Sequence, residues 1–292
     1  MSGTTEARDM LHAVTYTPGG PIRATEPRGV PAVFRLMRDA WRSRDMITRL
    51  VRRDVQAHYR QFYLGPVWVV LQPAITIAVF LVLNRTGVLN VGAVPVPYPL
   101  FALAGITIWQ LFATAVTAGT NSLAGAGPLL IKVNVSKAAL VVASLGTTAV
   151  DFLVRVMFLV LVYAYYGLHP SAAALAAIPA LLPLLVLTVA LALIQSLLGV
   201  VVRDVANLIP TLLSLLVFLM PVYYETPRNA TFARLNNWNP LYHLVCGPRD
   251  LLVRGHLAAP FAFSISAAGA LVLLVLAARL FAGAQYKLAE RA

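Results

Sequence analysis

RRDVQAHYRQFYLGPVWVVLQP, residues 52–73, changes solvent halfway along. Its first nine residues carry Arg52, Arg53, Asp54 and Arg60, and from Gln61 to Asn84 there is no charged residue. A surface helix of a soluble protein keeps a charged face along its whole length. A charged half that gives way to an unbroken apolar one instead marks a passage from water into hydrocarbon. Gly65-Pro66 lies at that passage. Proline restricts the residue before it and interrupts the helical ladder, so one helix is expected to turn into another there.

Outward from this stretch the same discontinuity recurs. Charge-free runs cover 61–84, 86–131, 156–202, 205–224 and 255–278, and a membrane-crossing helix needs about 20 mostly apolar residues. A chain of 292 residues that is 59% hydrophobic and 12% charged cannot hide its apolar surface in one soluble core. Pro, Gly and polar clusters cut the runs into six predicted spans near 64–84, 99–122, 139–166, 174–200, 207–224 and 259–281. Backbone groups in hydrocarbon must bond internally, and the Leu/Val/Ala runs lack the alternation of barrel strands. The predicted class is therefore an all-α integral membrane protein.

Residues 1–30 mix Pro, Gly, Thr and charge without periodicity and are expected to form a flexible cytoplasmic tail. Residues 31–63 predict a basic amphipathic helix lying in the membrane interface, broken near Ser43: Val33, Met37, Ala40, Trp41, Ile47, Leu50, Val51 and Val55 recur at helical spacing against an arginine face. Simple anchoring by snorkelling arginines and docking of a partner both fit it. The first apolar run starts only after residue 60 and follows a basic segment, so it reads as a retained span and no signal peptide is expected.

Of the 23 Lys and Arg, eleven precede the first span, and Lys132, Lys137, Arg203, Lys287 and Arg291 fall on the same side of an alternating topology. Cytoplasmic termini are expected on this count, although four arginines lie on the opposite side in 225–258. The net charge of +12 then reflects positive-inside bias and attraction to anionic lipid rather than nucleic acid.

The chain lacks the residues of several chemistries. There is no GxxxxGK[ST] phosphate loop, the eleven acidic residues form no catalytic pair, and the five His and the single Cys246 show no metal-ligand spacing. No enzyme, metal or bound cofactor is expected. The clear intramembrane ionisable pair is Asp151 and Arg155, four residues apart, readable as a structural ion pair or as the lining of a pathway. Residues 221–256 are too polar to span and too apolar for a free loop. They predict two short helices, with Asn239-Pro240 starting the second and Gly247-Pro248 interrupting or ending it. Arg228, Arg234, Arg249 and Arg254 are expected at the outer interface.

The order Arg53-Asp54, Tyr59-Arg60, Leu64-Gly65, Trp68 and Pro73 resembles the permeases of type-2 ABC exporters. LLIKVNVSK at 129–137, VVRDVANLIPTLL at 201–213 and NPLYHLVCGPRDLL at 239–252 resemble the branch that exports polysaccharides and lipid-linked glycans, the O-antigen, teichoic acid and galactan exporters. Together these pieces run from about residue 45 to the end of the chain. Where that family carries Phe-Pro after its Lys-Val, this chain has Asn134, Val135 and Ser136.

The resemblance implies a six-helix permease domain over 64–292 in the bacterial inner membrane, working as a homodimer with two ATPase subunits that hold ATP and Mg. The cargo it implies is a lipid-linked polysaccharide, a cell-wall galactan precursor being the expected one; a drug or small lipid is the alternative. ATPase coupling would fall to Lys132, Asn134 and Lys137, and contact with the lipid head group to Arg52, Arg53 and Arg60. A path of aromatic rings suits a hydroxyl-rich polymer. It would run past Tyr59, Phe62, Tyr63 and Trp68, then Trp109 and Phe112, and leave by Tyr223, Tyr224 and Trp238. The 225–258 segment would form outer gate helices between spans five and six.

Overall fold

The structure, a computed structural model, describes residues 14–17, 20–23, 30–60, 67–87, 92, 94–125, 137–169, 171–202, 204–225 and 231–290. Within the expected tail a short hairpin pairs β1 (Val14–Thr17) antiparallel with β2 (Gly20–Arg23), Val14 opposite Arg23. The remaining described elements are helical: α1 (Val30–Arg42), α2 (Arg44–Arg60), α3 (Val67–Arg85), α4 (Tyr98–Ala124) and α5 (Lys137–Tyr165). A 3₁₀ turn at Ala172–Ala176 then leads through α6 (Ala177–Ala180) into α7 (Leu182–Val201), α8 (Val205–Leu219), α9 (Thr231–Asn237), α10 (Pro240–Arg254) and α11 (Pro260–Glu290).

Among the described residues, four segments are long and apolar enough to cross a membrane: Tyr98–Ala124, Lys137–Tyr165, Ala172–Val201 and Pro260–Ala284. Val67–Leu83 and Val205–Leu219 are apolar but shorter. The expected span 207–224 is thus cut back at its end. Pro221 follows Met220, and the residue before a proline is driven out of helical geometry; Met220 takes φ −98°, ψ 141°.

α4 is the central helix. It packs most extensively on α5 and α7, and also touches α3, α8 and α10. Small residues permit this. A Cβ on Gly119 would collide with Ala192, and one on Gly199 with the Thr120 carbonyl, so the α4 and α7 backbones are in direct contact.

Two apolar clusters mark the two ends of the bundle. At one end Leu36 of α1 and Leu50 of α2 pack against a cluster containing Leu123, Val141 and Phe281, and Val51 fills the notch at Gly146 of α5. At the other, Tyr98, Ile106, Met220, Val222, Leu244 and Val245 belong to the larger cluster. α3, α5 and α8 therefore run from the basic end towards the α10 end, and α4, α7 and α11 run back.

Candidate functional site

At the basic end, α1 and α2 meet at Ser43 and pack on the bundle, α2 on α5 and α1 on α11. Arg52 and Arg53 are exposed, and Arg53 pairs with Asp54 at 2.8 Å. Between α2, the end of α4 and the start of α5 is a cleft of about 280 Å³ whose polar lining is Arg53, Asp54, Asn121, Ser122 and Ser144. Lys137 opens α5 half-buried. The side chains of Tyr59 and Arg60, and residues Phe62, Tyr63, Lys132 and Asn134, lie outside the described residues, as does the expected turn at Gly65-Pro66. Trp68 lies in the first turn of α3 with about half its surface exposed, 48%.

On α1 the apolar residues Phe34, Met37 and Trp41 point away from the bundle and are exposed, with the Arg44 guanidinium 5.6 Å from the centre of the Trp41 ring. This outward stripe and the surrounding arginines make the basic end amphipathic in the way an interfacial helix is.

At the opposite end α10 is built from local signals. Asn239 caps it by accepting from the Leu241 amide at 3.0 Å, Pro240 occupies the first turn, and Gly255 closes it in the left-handed region at φ 75°. The interruption expected at Gly247-Pro248 does not occur; the helix continues to Arg254. Gly247 serves packing instead, since a Cβ there would stand 2.7 Å from the Phe263 ring of α11.

Every residue from His243 to Leu251 is buried, which corrects the expected place of one arginine. Arg249 is inside the protein, not at the interface. Its Nη2 donates to Asp250 Oδ1 at 2.9 Å and its Nη1 to the Pro221 carbonyl, and its guanidinium sits 4.5 Å from the centre of the Phe101 ring. Arg254, a quarter exposed, bonds Glu225 and approaches Asp250 at 3.9 Å. Arg234 is exposed, and Arg228 lies outside the described residues. Together Arg249, Asp250, Arg254 and Glu225 tie α10 to the chain that leaves α8.

The expected exit aromatics divide. Tyr223 is buried and stacks on Phe80 of α3 at 4.7 Å; Tyr224 donates to the Phe218 carbonyl at 3.1 Å; Trp238 is 91% exposed. Trp109 and Phe112 lie in the α4 core, each 2% exposed, their rings 5.7 Å apart. They pack the bundle and offer no surface to a passing molecule. On α5, Asp151 is half-buried and Arg155 is buried, and the Arg155 Nε donates to the Val69 carbonyl of α3 at 3.5 Å.

The four-residue network at α10 was missed from sequence. Its trace there is the adjacent Arg249-Asp250 and the Asp250 to Arg254 spacing of one helical turn; Glu225 carries no such signal. Among the described residues no group of three or more His, Cys, Asp or Glu could hold a metal ion.

The family described as ABC-2 type transporter matches residues 46–252. The O-antigen export system permease protein RfbA of Myxococcus xanthus is 26% identical over 269 residues, covering 88% of this chain and 99% of that protein. The protein of the same name from Klebsiella pneumoniae is 22% identical over 249 residues, covering 84% and 94%.

Proposed function

Since this chain belongs to the ABC-2 type transporter family, we propose that it is the transmembrane subunit of an ATP-driven exporter that moves a lipid-linked polysaccharide out of the cytoplasm. The observation that carries this reading is the near end-to-end match to permeases named for O-antigen export. We take the cargo to be a cell-wall galactan precursor, the working unit to be two copies of this chain with two separate ATPase subunits, and ATP with Mg to be bound and hydrolysed on those partners.

In this reading α3 and α8 complete six crossings of the inner membrane, with α1, α2 and both termini on the cytoplasmic side. The arginines of α2 meet the phosphate-bearing lipid head, the Lys132 to Lys137 segment couples to the ATPase, and α9 and α10 gate the exit. The burial of α10 at the end of the bundle supports its role as a gate, because non-spanning backbone at membrane depth needs protein or a water-filled path around it. The exposure of Trp68 and Trp238 supports stacking of sugars at the two mouths. Tyr223 would act from inside the gate, as a support.

The test is to deplete the protein and extract the lipids of the inner leaflet. A lipid-linked glycan is expected to accumulate, and vesicles holding the chain with its ATPase are expected to move that glycan only with hydrolysable ATP. Unchanged glycan pools together with accumulation of a drug or small lipid would overturn the choice of cargo.

A further inference from the structure

α3 touches the bundle along one narrow face. Val69, Pro73 and Ile77, four residues apart, are buried, while Trp68, Ile75, Val79 and Val82 are exposed. Proline 73 sits inside the helix and has no N–H. The carbonyl that residue 73 would have bonded is that of the residue four before it, Val69. Hydrocarbon supplies no water to replace the missing donor, and a proline within a spanning helix is tolerated where a neighbouring group re-satisfies the freed carbonyl. The structure supplies such a group: Arg155 of α5, 5% exposed, aims its Nε at this carbonyl from 3.5 Å.

We propose that Arg155 is a positioning residue that takes the acceptor left open by Pro73 and so pins the first half of α3 to α5. The arginine answers the proline. A guanidinium suits the task because its planar fork can donate to a carbonyl while its other N–H groups stay directed elsewhere. Asp151, half-buried one turn earlier on α5, is the charged neighbour on the same helix. The pin sets the rotation of α3 about its own axis and thereby the direction in which Trp68 faces. The hydrocarbon setting of α3 and the consequence for export rest on the reading proposed above; the contact between Arg155 and the Val69 carbonyl does not.

The test is a double-mutant cycle on the full chain in lipid nanodiscs, run in an Asp151→Asn background so that no carboxylate is stranded there by loss of the arginine. Arg155→Met is expected to lower the midpoint of thermal unfolding by several degrees. Pro73→Ala, which restores an N–H to residue 73, is expected to recover most of that loss with Met at 155 and to change little with Arg at 155. An equal effect of Pro73→Ala in both contexts would overturn the proposal, as would no effect in either. If the Arg155→Met protein fails to accumulate, recovery of accumulation by Pro73→Ala is the expected result and continued absence overturns it. Glycan export, measured separately, should follow the same pattern. The unfolding midpoint does not depend on cargo, so failure of the exporter reading leaves the cycle interpretable.

Discussion

Arg249 and Asp250 are neighbours in the chain and both nearly enclosed, at 3% and 4% exposure. Two charges removed from water are tolerable only when paired and otherwise satisfied, and here the Pro221 carbonyl and the Phe101 face complete the shell. Removing one member strands the other, at a cost of about 3–5 kcal/mol. Asp250→Ala is therefore expected to abolish accumulation of folded protein or lower its melting point sharply, while Arg249→Met with Asp250→Leu costs less than Asp250→Ala alone; thermal unfolding of the three proteins checks the order. Beside them, burial pushes the Cys246 thiol up to about 12 from an ordinary value of 9.0. The folded state thus holds this proton more tightly than the unfolded one. The stability from this group is complete below pH 9 and falls as pH climbs towards 12. Thiolate is the reactive form, so maleimide at neutral pH should leave the native protein unmodified and label Cys246 fully in detergent that unfolds it. Rapid labelling of the native state would show α10 to be open.

Among elements, the α4–α7 seam depends on the absence of side chains more than on their presence. Gly119 faces Ala192 and Gly199 faces the Thr120 carbonyl at distances no Cβ could share, and association in hydrocarbon relies on such close backbone approach. Gly119→Val should push the two helices apart, an overpacking cost of about 1–3 kcal/mol read as a lower melting point. Gly269 of α11 has no atom within 4 Å of an added Cβ, so Gly269→Ala should be neutral or slightly stabilising. Similar effects at both positions would mean that the seam is not close-packed. The helices themselves were legible: charge-free runs, the break at Ser43 and the cap at Asn239-Pro240 are local signals. The end of α8 and the continuity of α10 were misread for opposite reasons. Pro221 stops α8 through its own covalent restriction, which applies whatever surrounds it, whereas the packing of Phe263 against Gly247 holds α10 helical past a residue pair that usually marks a break.

At the scale of the molecule, the arginines of α1 and α2 gather at one end and the buried helix α10 at the other. Positive-inside bias is the ground on which α1 and α2 are proposed to face the cytoplasm. In a Cys246→Ala background, Trp238→Cys, at a site already 91% exposed, should be labelled by a membrane-impermeant maleimide in intact cells. Thr5→Cys should be labelled only after permeabilisation. The reverse pattern would invert the topology and move the proposed gate to the cytoplasmic side.

The sequence by itself determined that the chain is a helical membrane protein, roughly where its apolar helices run, and which family pattern its motifs follow. The first two rest on a constraint that acts within one segment, since hydrocarbon excludes charge and demands internal backbone bonding over a fixed length; the third is a resemblance carried by short motifs. Tertiary structure alone decided that Trp109 and Phe112 are core, that Arg249 lies inside the protein, and that Arg155 meets the carbonyl freed by Pro73. The fate of a polar or aromatic side chain depends on what is brought against it, and the carbonyls that accept from Arg155 and Arg249 lie 86 and 28 residues away along the chain. At such separations helical periodicity carries no information, and only the packing of whole helices supplies the partner.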